Sequence, residues 1–110
     1  MGAKILILGV TFKENCNDIR NSKVFEVIDE LIEYGCEITL LDPLAIPKEV
    51  SKLTSAPLYS NLSEINKRFD GVLLAVAHKE FEEIDLASHT HNQSVIYDLK
   101  DVLKSSHARL

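Results

Sequence analysis

The stretch KILILGVTFKENCNDIRNSK, residues 4–23, decides the fold of this chain. It starts with an apolar run from Ile5 to Leu8, passes through Gly9 into a polar loop, and becomes amphipathic near Ser22. An unbroken apolar run that leads into a helix is typical of the first strand of a parallel sheet buried on both faces. In such sheets the loops that leave the carboxyl ends of the strands form the ligand crevice. This loop is therefore the segment that we expect to touch a ligand.

The rest of the chain alternates between strand and helix patterns. Apolar runs and helical periodicity predict strands at residues 4–10, 37–41, 58–59, 71–78 and 95–98, and helices at residues 22–34, 47–53 and 62–68. Residues 79–93 are expected to hold a short helix and a loop, whereas residues 101–110 have little predictive content. Asn21 or Ser22 is expected to cap the first helix, and Gly35 to end it. Asn61 is expected to cap the last one.

Helices between strands require parallel pairing with right-handed crossovers. The two longest apolar strands, residues 5–8 and 72–77, belong at the centre of the sheet. The sequence therefore predicts an α/β fold with a Rossmann-like, doubly wound parallel sheet, strand order 3-2-1-4-5, in three α/β/α layers. Residues 1–110 suffice for a single domain. Its switch point should bring residues 9–20, 78–81 and 98–100 to one edge.

Composition excludes several classes of protein. The 110 residues are 45% hydrophobic and 26% charged, which is typical of a globular domain. A formal net charge of −5 argues against a general nucleic-acid binder. No apolar run approaches the roughly 18 residues of a membrane span, and residues 1–4 are too short for a signal peptide. Cys16 and Cys36 lack metal-ligand spacing, so a reducing cytoplasm is expected.

A dinucleotide-binding fingerprint is incomplete in the first loop. Such a fingerprint needs three glycines, for the turn, for close approach to pyrophosphate and for helix packing. Only Gly9 is present, and Thr11 and Glu14 occupy the other two places. Asp42 ends the second strand, where a ribose-binding acid would stand, but its place before Pro43 favours a turn-forming role. We therefore expect no dinucleotide to bind here in the usual way.

The charged residues of the crevice have two interpretations. Lys13 and Arg20 are suited to phosphate or carboxylate groups, Arg through its planar fork and Lys as a point charge. The alternative is a solvated loop with local pairs to Glu14 and Asp18. Lys100 follows the last strand and either faces the same crevice or is an ordinary surface lysine.

The remaining reactive side chains predict neither a catalytic residue nor a metal site. His78 is either an acid–base group or the polar end of a buried strand, and the second interpretation is favoured. His89 and His91 lack a third metal ligand. The sequence places no histidine beside Cys16, so it is not predicted to be a nucleophile.

Three segments together resemble a known family. LGVTFK at residues 8–13, NDIRNS at residues 17–22 and the pair Asp42-Pro43 are similar to the C-terminal, UDP-binding domain of the UDP-glucose/GDP-mannose dehydrogenase family. These enzymes are nucleotide-sugar 6-dehydrogenases. The pattern G-x-x-F-K-x-x-x-x-D-x-R-x-S is long, and the resemblance covers nearly the whole chain. The segment AVAHKEF, residues 75–81, looks most like members that oxidise UDP-N-acetylhexosamines for bacterial surface polysaccharides.

The resemblance implies a reaction and a division of labour. The family oxidises the sugar C6 alcohol to a carboxylate with two molecules of NAD and holds the aldehyde stage on a cysteine. That cysteine and the NAD domain precede the segment seen here, and neither Cys16 nor Cys36 matches the nucleophile motif. We therefore expect an inactive C-terminal fragment, with NAD bound mainly by the absent N-terminal domain.

The same resemblance assigns roles to individual residues and partners. It implies that Phe12, Lys13 and Lys100 bind the UDP-sugar and that Arg20 reaches the NAD site. The expected partners are a UDP-sugar, the remaining domains of the parent dehydrogenase and further copies in a homo-oligomer, with no nucleic acid and no membrane.

One alternative is a receiver or flavodoxin-like signalling or interaction module, because receiver domains share the strand order. A receiver needs acidic residues around a phospho-accepting aspartate. Here Thr11 and Phe12 follow the first strand and Tyr59-Ser60 ends the third. The sequence therefore favours the dehydrogenase domain.

Overall fold

A parallel sheet forms the middle layer of the computed structural model, which describes residues 2–98 and 108–109. The described elements are, in chain order, β1 (Lys4–Leu8), α1 (Val24–Glu33), β2 (Glu37–Leu41), α2 (Pro47–Val50), β3 (Leu58–Tyr59), β4 (Phe69–Leu74), β5 (Thr90–Asp98) and β6 (Ala108–Arg109). The strand order is β3-β2-β1-β4-β5-β6 and every pairing is parallel. The predicted order 3-2-1-4-5 is confirmed, and β6 extends it in a segment for which the sequence predicted little.

β1 is central because its side chains are apolar on both faces. Ile7 lies beside Leu40 of β2 and Leu73 of β4 in the register of the sheet. Leu6 and Leu8 point into one hydrophobic cluster and Ile7 into the other, and all three side chains are fully buried. β1 lacks the alternation of polar and apolar residues, so both of its faces must be buried.

α1 covers one face of the sheet. Phe25 and Ile28 of the helix pack in a cluster with Ile7, Ile38, Leu40 and Val50. Gly35 ends the helical segment with a φ of 89°, as the sequence predicted. The predicted capping by Asn21 or Ser22 is wrong: residue 23 occupies the N-cap position without a side-chain bond. The Ser22 hydroxyl instead donates to the carbonyl of Thr11, at 3.4 Å.

The opposite face is covered by short 3-10 turns within the described residues. The predicted helix at residues 62–68 is only one turn, Leu62–Glu64, although Asn61 caps it as expected. Ile65 is extended and buried, so the chain turns inward to join β4. Further turns lie at Lys79–Phe81 and Ala87–His89, in the region expected to hold a short helix. Crossovers on both faces make the sheet doubly wound.

The boundaries of three strands differ from the prediction. β1 ends at Leu8 rather than at residue 10. β4 begins at Phe69 and ends at Leu74, whereas the sequence predicted residues 71–78. β5 begins at Thr90 rather than at residue 95. The early end of β4 matters for function, because it frees Val76 and His78 to lie against the loop that follows β1.

Candidate functional site

The loops after β1 and β4 meet at Gly9. Its φ is +92°, and a Cβ built there would lie 2.6 Å from the Val76 Cβ and 2.7 Å from the Val76 carbonyl oxygen. Only glycine tolerates both that backbone conformation and that approach. The amides of Ala75 and Val76 donate to the Leu8 carbonyl at 3.0 and 3.2 Å, which fixes the contact. The topological switch point thus lies between β1 and β4, as predicted.

The first half of the loop, residues 11–15, is fastened to the end of β4. The Phe12 amide donates to the Asp18 carbonyl at 2.6 Å and closes the loop on itself. Asn15 has a φ of 60°, and its side-chain oxygen accepts from the Lys79 amide at 2.8 Å. Phe12 is left 54% exposed and Lys13 is exposed beside it. The structure therefore brings the two predicted ligand residues together on one ordered turn.

Asp42 anchors this region from β2. Its carboxylate is fully buried, and Oδ2 accepts from the Val10 amide at 2.8 Å. Oδ1 accepts from the amides of Leu44 and Ala45 at 2.8 and 2.9 Å. The residue therefore forms the turn that its place before Pro43 indicates, and its oxygens are not available to a ribose.

His78 fills the space between Asp42 and the first loop. Its ring is fully buried, with Nε2 3.0 Å from Asp42 Oδ2 and 3.1 Å from Thr11 Oγ1. Nδ1 accepts from the Asn15 amide at 2.9 Å. Because that bond needs a lone pair, Nδ1 is unprotonated and the proton of the neutral ring lies on Nε2, which donates to Asp42. His78 is buried as the favoured interpretation expects, but β4 ends at Leu74, so the residue lies in the segment after the strand and not at its end.

The hydrogen bonds keep Asp42 ionised in spite of its burial. Burial by itself raises the pKa of the Asp42 carboxyl. The bonds from His78 and from the amides of Val10 and Leu44 outweigh that effect, and they hold the pKa below its ordinary value. A buried negative charge therefore sits at the junction of the loops after β1, β2 and β4.

The second half of the loop contains a self-sufficient ion pair. Arg20 Nε and Nη2 donate to the two Asp18 carboxylate oxygens at 3.0 and 2.9 Å. This bond lowers the pKa of Asp18 and raises that of Arg20. The Arg20 side chain is nevertheless 85% exposed. It lines an open cleft of about 800 Å³ between this loop and α2, together with Ile46, Glu49, Lys52 and Leu53.

The expected local pair with Asp18 is therefore present at Arg20, whereas Lys13 is exposed and the solvated-loop interpretation stays open for it. Within residues 2–98, no ion pair with Glu14 or any other acid is seen at the Lys13 ammonium. The sequence placed Lys13 and Arg20 in one crevice, whereas the structure directs Arg20 toward the α2 cleft. Lys100 lies outside the described residues.

Sequence reasoning missed Asn15 and the partners of His78. A left-handed φ is enriched at asparagine, so Asn15 carried a weak local indication. The bond between Asn15 and His78 joins residues 63 positions apart, and only the fold reveals it.

The other candidate groups of the sequence do not assemble into a site. His89 Nε2 faces the Ile65 carbonyl, while His91 Nε2 pairs with Asp70. The part of the chain that the structure describes contains no cluster of three His, Cys, Asp or Glu residues able to hold a metal ion. Nor does any helix of that part have the length and apolarity needed to cross a membrane.

A receiver-like site also lacks its essential group. Thr11 follows β1 and is buried, and Tyr59 ends β3. The buried Asp42 carboxylate is closed off by its hydrogen bonds. Among the described residues of this edge, none favours a phospho-accepting module.

The fold is that of a doubly wound α/β domain with its switch point after β1, the place where sheets of this kind bind their ligands. Residues 6–105 match the UDP-glucose/GDP-mannose dehydrogenase family, UDP binding domain. The chain belongs to this family, and the resemblance seen in the sequence is confirmed.

Individual relatives agree with that assignment. The chain is 36% identical over 105 residues to the UDP-N-acetyl-D-glucosamine 6-dehydrogenase of Salmonella typhi, covering 93% of this chain and 24% of that protein. It is 39% identical over 106 residues to protein CapL of Staphylococcus aureus, covering 94% and 24%. A derivative structure of the UDP-N-acetyl-mannosamine dehydrogenase Cap5O from S. aureus superposes with a TM-score of 0.72 at 27% identity, covering 96% of this chain and 24% of that one. The chain thus spans about a quarter of the length of these relatives.

Proposed function

We propose that this chain is the UDP-sugar-binding C-terminal domain of an NAD-dependent nucleotide-sugar 6-dehydrogenase. The parent enzyme oxidises the sugar C6 alcohol to a carboxylate, acts on a UDP-N-acetylhexosamine and serves surface polysaccharide biosynthesis in the cytoplasm. The observation that carries the proposal is Lys13, which has no acidic partner among residues 2–98 and lies beside the exposed Phe12, on the turn at the switch point of a UDP binding domain. Similarity to a UDP-N-acetyl-D-glucosamine 6-dehydrogenase and to a UDP-N-acetyl-mannosamine dehydrogenase supports the hexosamine subgroup.

The chemistry of Lys13 and Phe12 suits a nucleoside diphosphate sugar. The Lys13 ammonium, which has no acidic partner among residues 2–98, offers a point charge and three donors to a diphosphate. An exposed aromatic ring offers a flat apolar surface to a base or a sugar ring. Lys100 is proposed to add a second positive charge near the same ligand. The role of these residues is to hold the nucleotide far from the reacting carbon, so that remote contacts orient C6.

NAD does not fit this chain by itself. A Gly-rich cradle would need a glycine where the buried Thr11 stands, and the Asp42 oxygens are already occupied by three amides. We therefore place the cofactor mainly on the absent N-terminal domain. Arg20 supplies the contact from this side, since its exposed guanidinium lines a separate cleft. The other domains and further copies of the enzyme are the proposed protein partners.

Titration of the 110-residue chain with UDP and with NAD tests the proposal. UDP is expected to bind weakly and to shift the amide resonances of residues 11–15 and 78–81, whereas NAD binds less tightly. Lys13→Ala should weaken UDP binding roughly ten- to a hundredfold, the effect of losing one charge-assisted contact of about 1.5–3 kcal/mol.

Lys4→Ala is the matched control for that experiment. It removes an equal charge from the start of β1, at the opposite edge of the sheet, and should leave the UDP affinity within about twofold of wild type. Tighter binding of NAD than of UDP, or equal losses in the two lysine variants, contradicts the proposal.

A further inference from the structure

His78 is the largest polar side chain buried beneath the proposed ligand loop. It lies among the ends of three strands: it contacts Asp42 after β2, Thr11 after β1, and Phe81 in the turn after β4, with ring centroids 5.6 Å apart. None of its ring is exposed. A side chain in that position cannot exchange protons with a bound substrate, so its contribution must act through the groups that it touches.

The two ring nitrogens of His78 have opposite hydrogen-bonding roles. Nε2 faces the Asp42 carboxylate, an obligate acceptor, and therefore carries the proton. Nδ1 receives the Asn15 amide at 2.9 Å and therefore offers a lone pair. Asp42 in turn is held by three backbone amides from the loops after β1 and β2. One fixed tautomer thus connects a rigid anchor to the turn that carries Phe12 and Lys13.

Asn15 is the residue of the loop that His78 holds. Its φ of 60° is left-handed, a conformation that asparagine adopts more readily than most residues other than glycine. Two bonds hold it there: its amide donates to His78, and its side-chain oxygen accepts from the Lys79 amide. Loss of the first bond would leave the Asn15 amide without its partner, and the Lys79 bond would then have to hold Asn15 against the segment after β4.

We propose that His78 is a positioning residue for UDP-sugar binding, which it supports by accepting the Asn15 amide and so holding residues 11–15 in the binding conformation. The inference rests on the proposed function of this loop. When only a fraction of the molecules has the competent loop, the apparent affinity falls by that fraction. His78 therefore raises UDP affinity without touching the ligand.

Two substitutions of His78 separate its bond to the Asn15 amide from its bond to Asp42. His78→Asn places an amide oxygen near the position of Nδ1 and keeps an acceptor for Asn15, but it does not reach Asp42. His78→Gln extends to the position of Nε2 and keeps a donor to Asp42, but it loses the acceptor. Both variants lose ring packing against Phe81 and are expected to be less stable than wild type. UDP affinity should fall about 3- to 10-fold in His78→Gln and stay within about twofold in His78→Asn.

Calorimetry well below the unfolding temperature of each variant gives these affinities for the folded state. A His78→Gln chain that binds UDP as well as wild type, although it is less stable, would show that His78 is merely structural. Equal losses in both variants would overturn the role of the Asn15 bond.

Amide hydrogen exchange tests the role of His78 without requiring that UDP binds. If wild type fails to bind UDP, the proposed function is wrong, and exchange at residues 12, 15 and 79 still decides whether His78 positions the loop. Faster exchange at these residues in His78→Gln than in His78→Asn supports it, and equal rates overturn it. Should neither variant fold, the imidazole nitrogen spectrum of wild type decides: an Nε2–H tautomer coupled to the Asn15 amide is expected, and an Nδ1–H tautomer overturns the inference.

Discussion

The two halves of the loop after β1 are built in opposite ways. Residues 11–15 are tied to the protein interior through His78 and Lys79, yet they leave the Lys13 ammonium without an acidic partner among residues 2–98. Residues 16–22 include the Asp18–Arg20 ion pair at the surface, in which the two opposite charges neutralise each other. An exposed cation without an acidic partner needs no exchange of partners to bind an anion, whereas an exposed self-paired arginine must give up its carboxylate to bind one.

The largest loss of stability is expected from adding a side chain at Gly9, where the loops after β1 and β4 meet. Gly9→Ala combines a disfavoured φ with a Cβ 2.6 Å from Val76, so we expect a loss of at least about 3 kcal/mol of stability, or failure to fold. Gly35→Ala is the matched control, because its φ of +89° is similar but nothing lies within 4 Å. It should cost about 1 kcal/mol. Chemical denaturation measures both, and equal losses would mean that backbone strain alone, and not the contact with Val76, constrains Gly9.

Substitution of Asp42, which is bonded to the first half of the loop, should reduce stability less than Gly9→Ala does. The size of that reduction should depend on pH. Asp42→Asn places an amide group among the donors from Val10 and His78, with an expected cost of about 2–4 kcal/mol at neutral pH. The folded pKa of Asp42 lies below its unfolded value, which is about 3.9. Its stabilisation is therefore complete above the unfolded pKa and is lost as the pH falls through the folded pKa.

Urea unfolding of wild type and Asp42→Asn between neutral pH and about pH 3 tests this sign. The gap in unfolding free energy between the two proteins should narrow on acidification. A gap that stays constant, or widens, would mean that the ionised form of Asp42 is not the stabilising one.

The sequence was sufficient for the sheet and insufficient for the network beneath the loop. Apolar runs such as residues 5–8 must be buried on both faces, and that requirement alone places β1 at the centre. The helix expected at residues 62–68 failed because the burial of Ile65 overrode local propensity. Topology also places Phe12 and Lys13 at the carboxyl edge of the sheet, where they lie after β1, and their role as ligand residues stays a prediction.

The contacts of His78 could not be predicted in the same way. Its bonds to Thr11, Asn15 and Asp42 join positions that are distant in the sequence, and they depend on β4 ending at Leu74 rather than at residue 78. Periodicity does not specify where a strand leaves its sheet. The functional consequence of the histidine therefore emerges only when the strand ends are brought together.

The smallest effects on the isolated chain are expected at the second half of the loop. Arg20→Ala removes an exposed pair, which contributes little to stability, so its unfolding midpoint and its UDP affinity should remain close to wild type.

In the proposed full-length enzyme the same change should raise the Michaelis constant for NAD more than that for the UDP-sugar, because Arg20 lines the α2 cleft and not the turn of Lys13. Asp18→Asn is the informative companion. It frees the guanidinium from its internal carboxylate and should leave the NAD constant unchanged or lower it. Steady-state kinetics with each substrate varied in turn distinguish the outcomes. If Arg20→Ala and Lys13→Ala both affect the sugar alone, the two halves of the loop form one pocket, and the division drawn between them is wrong.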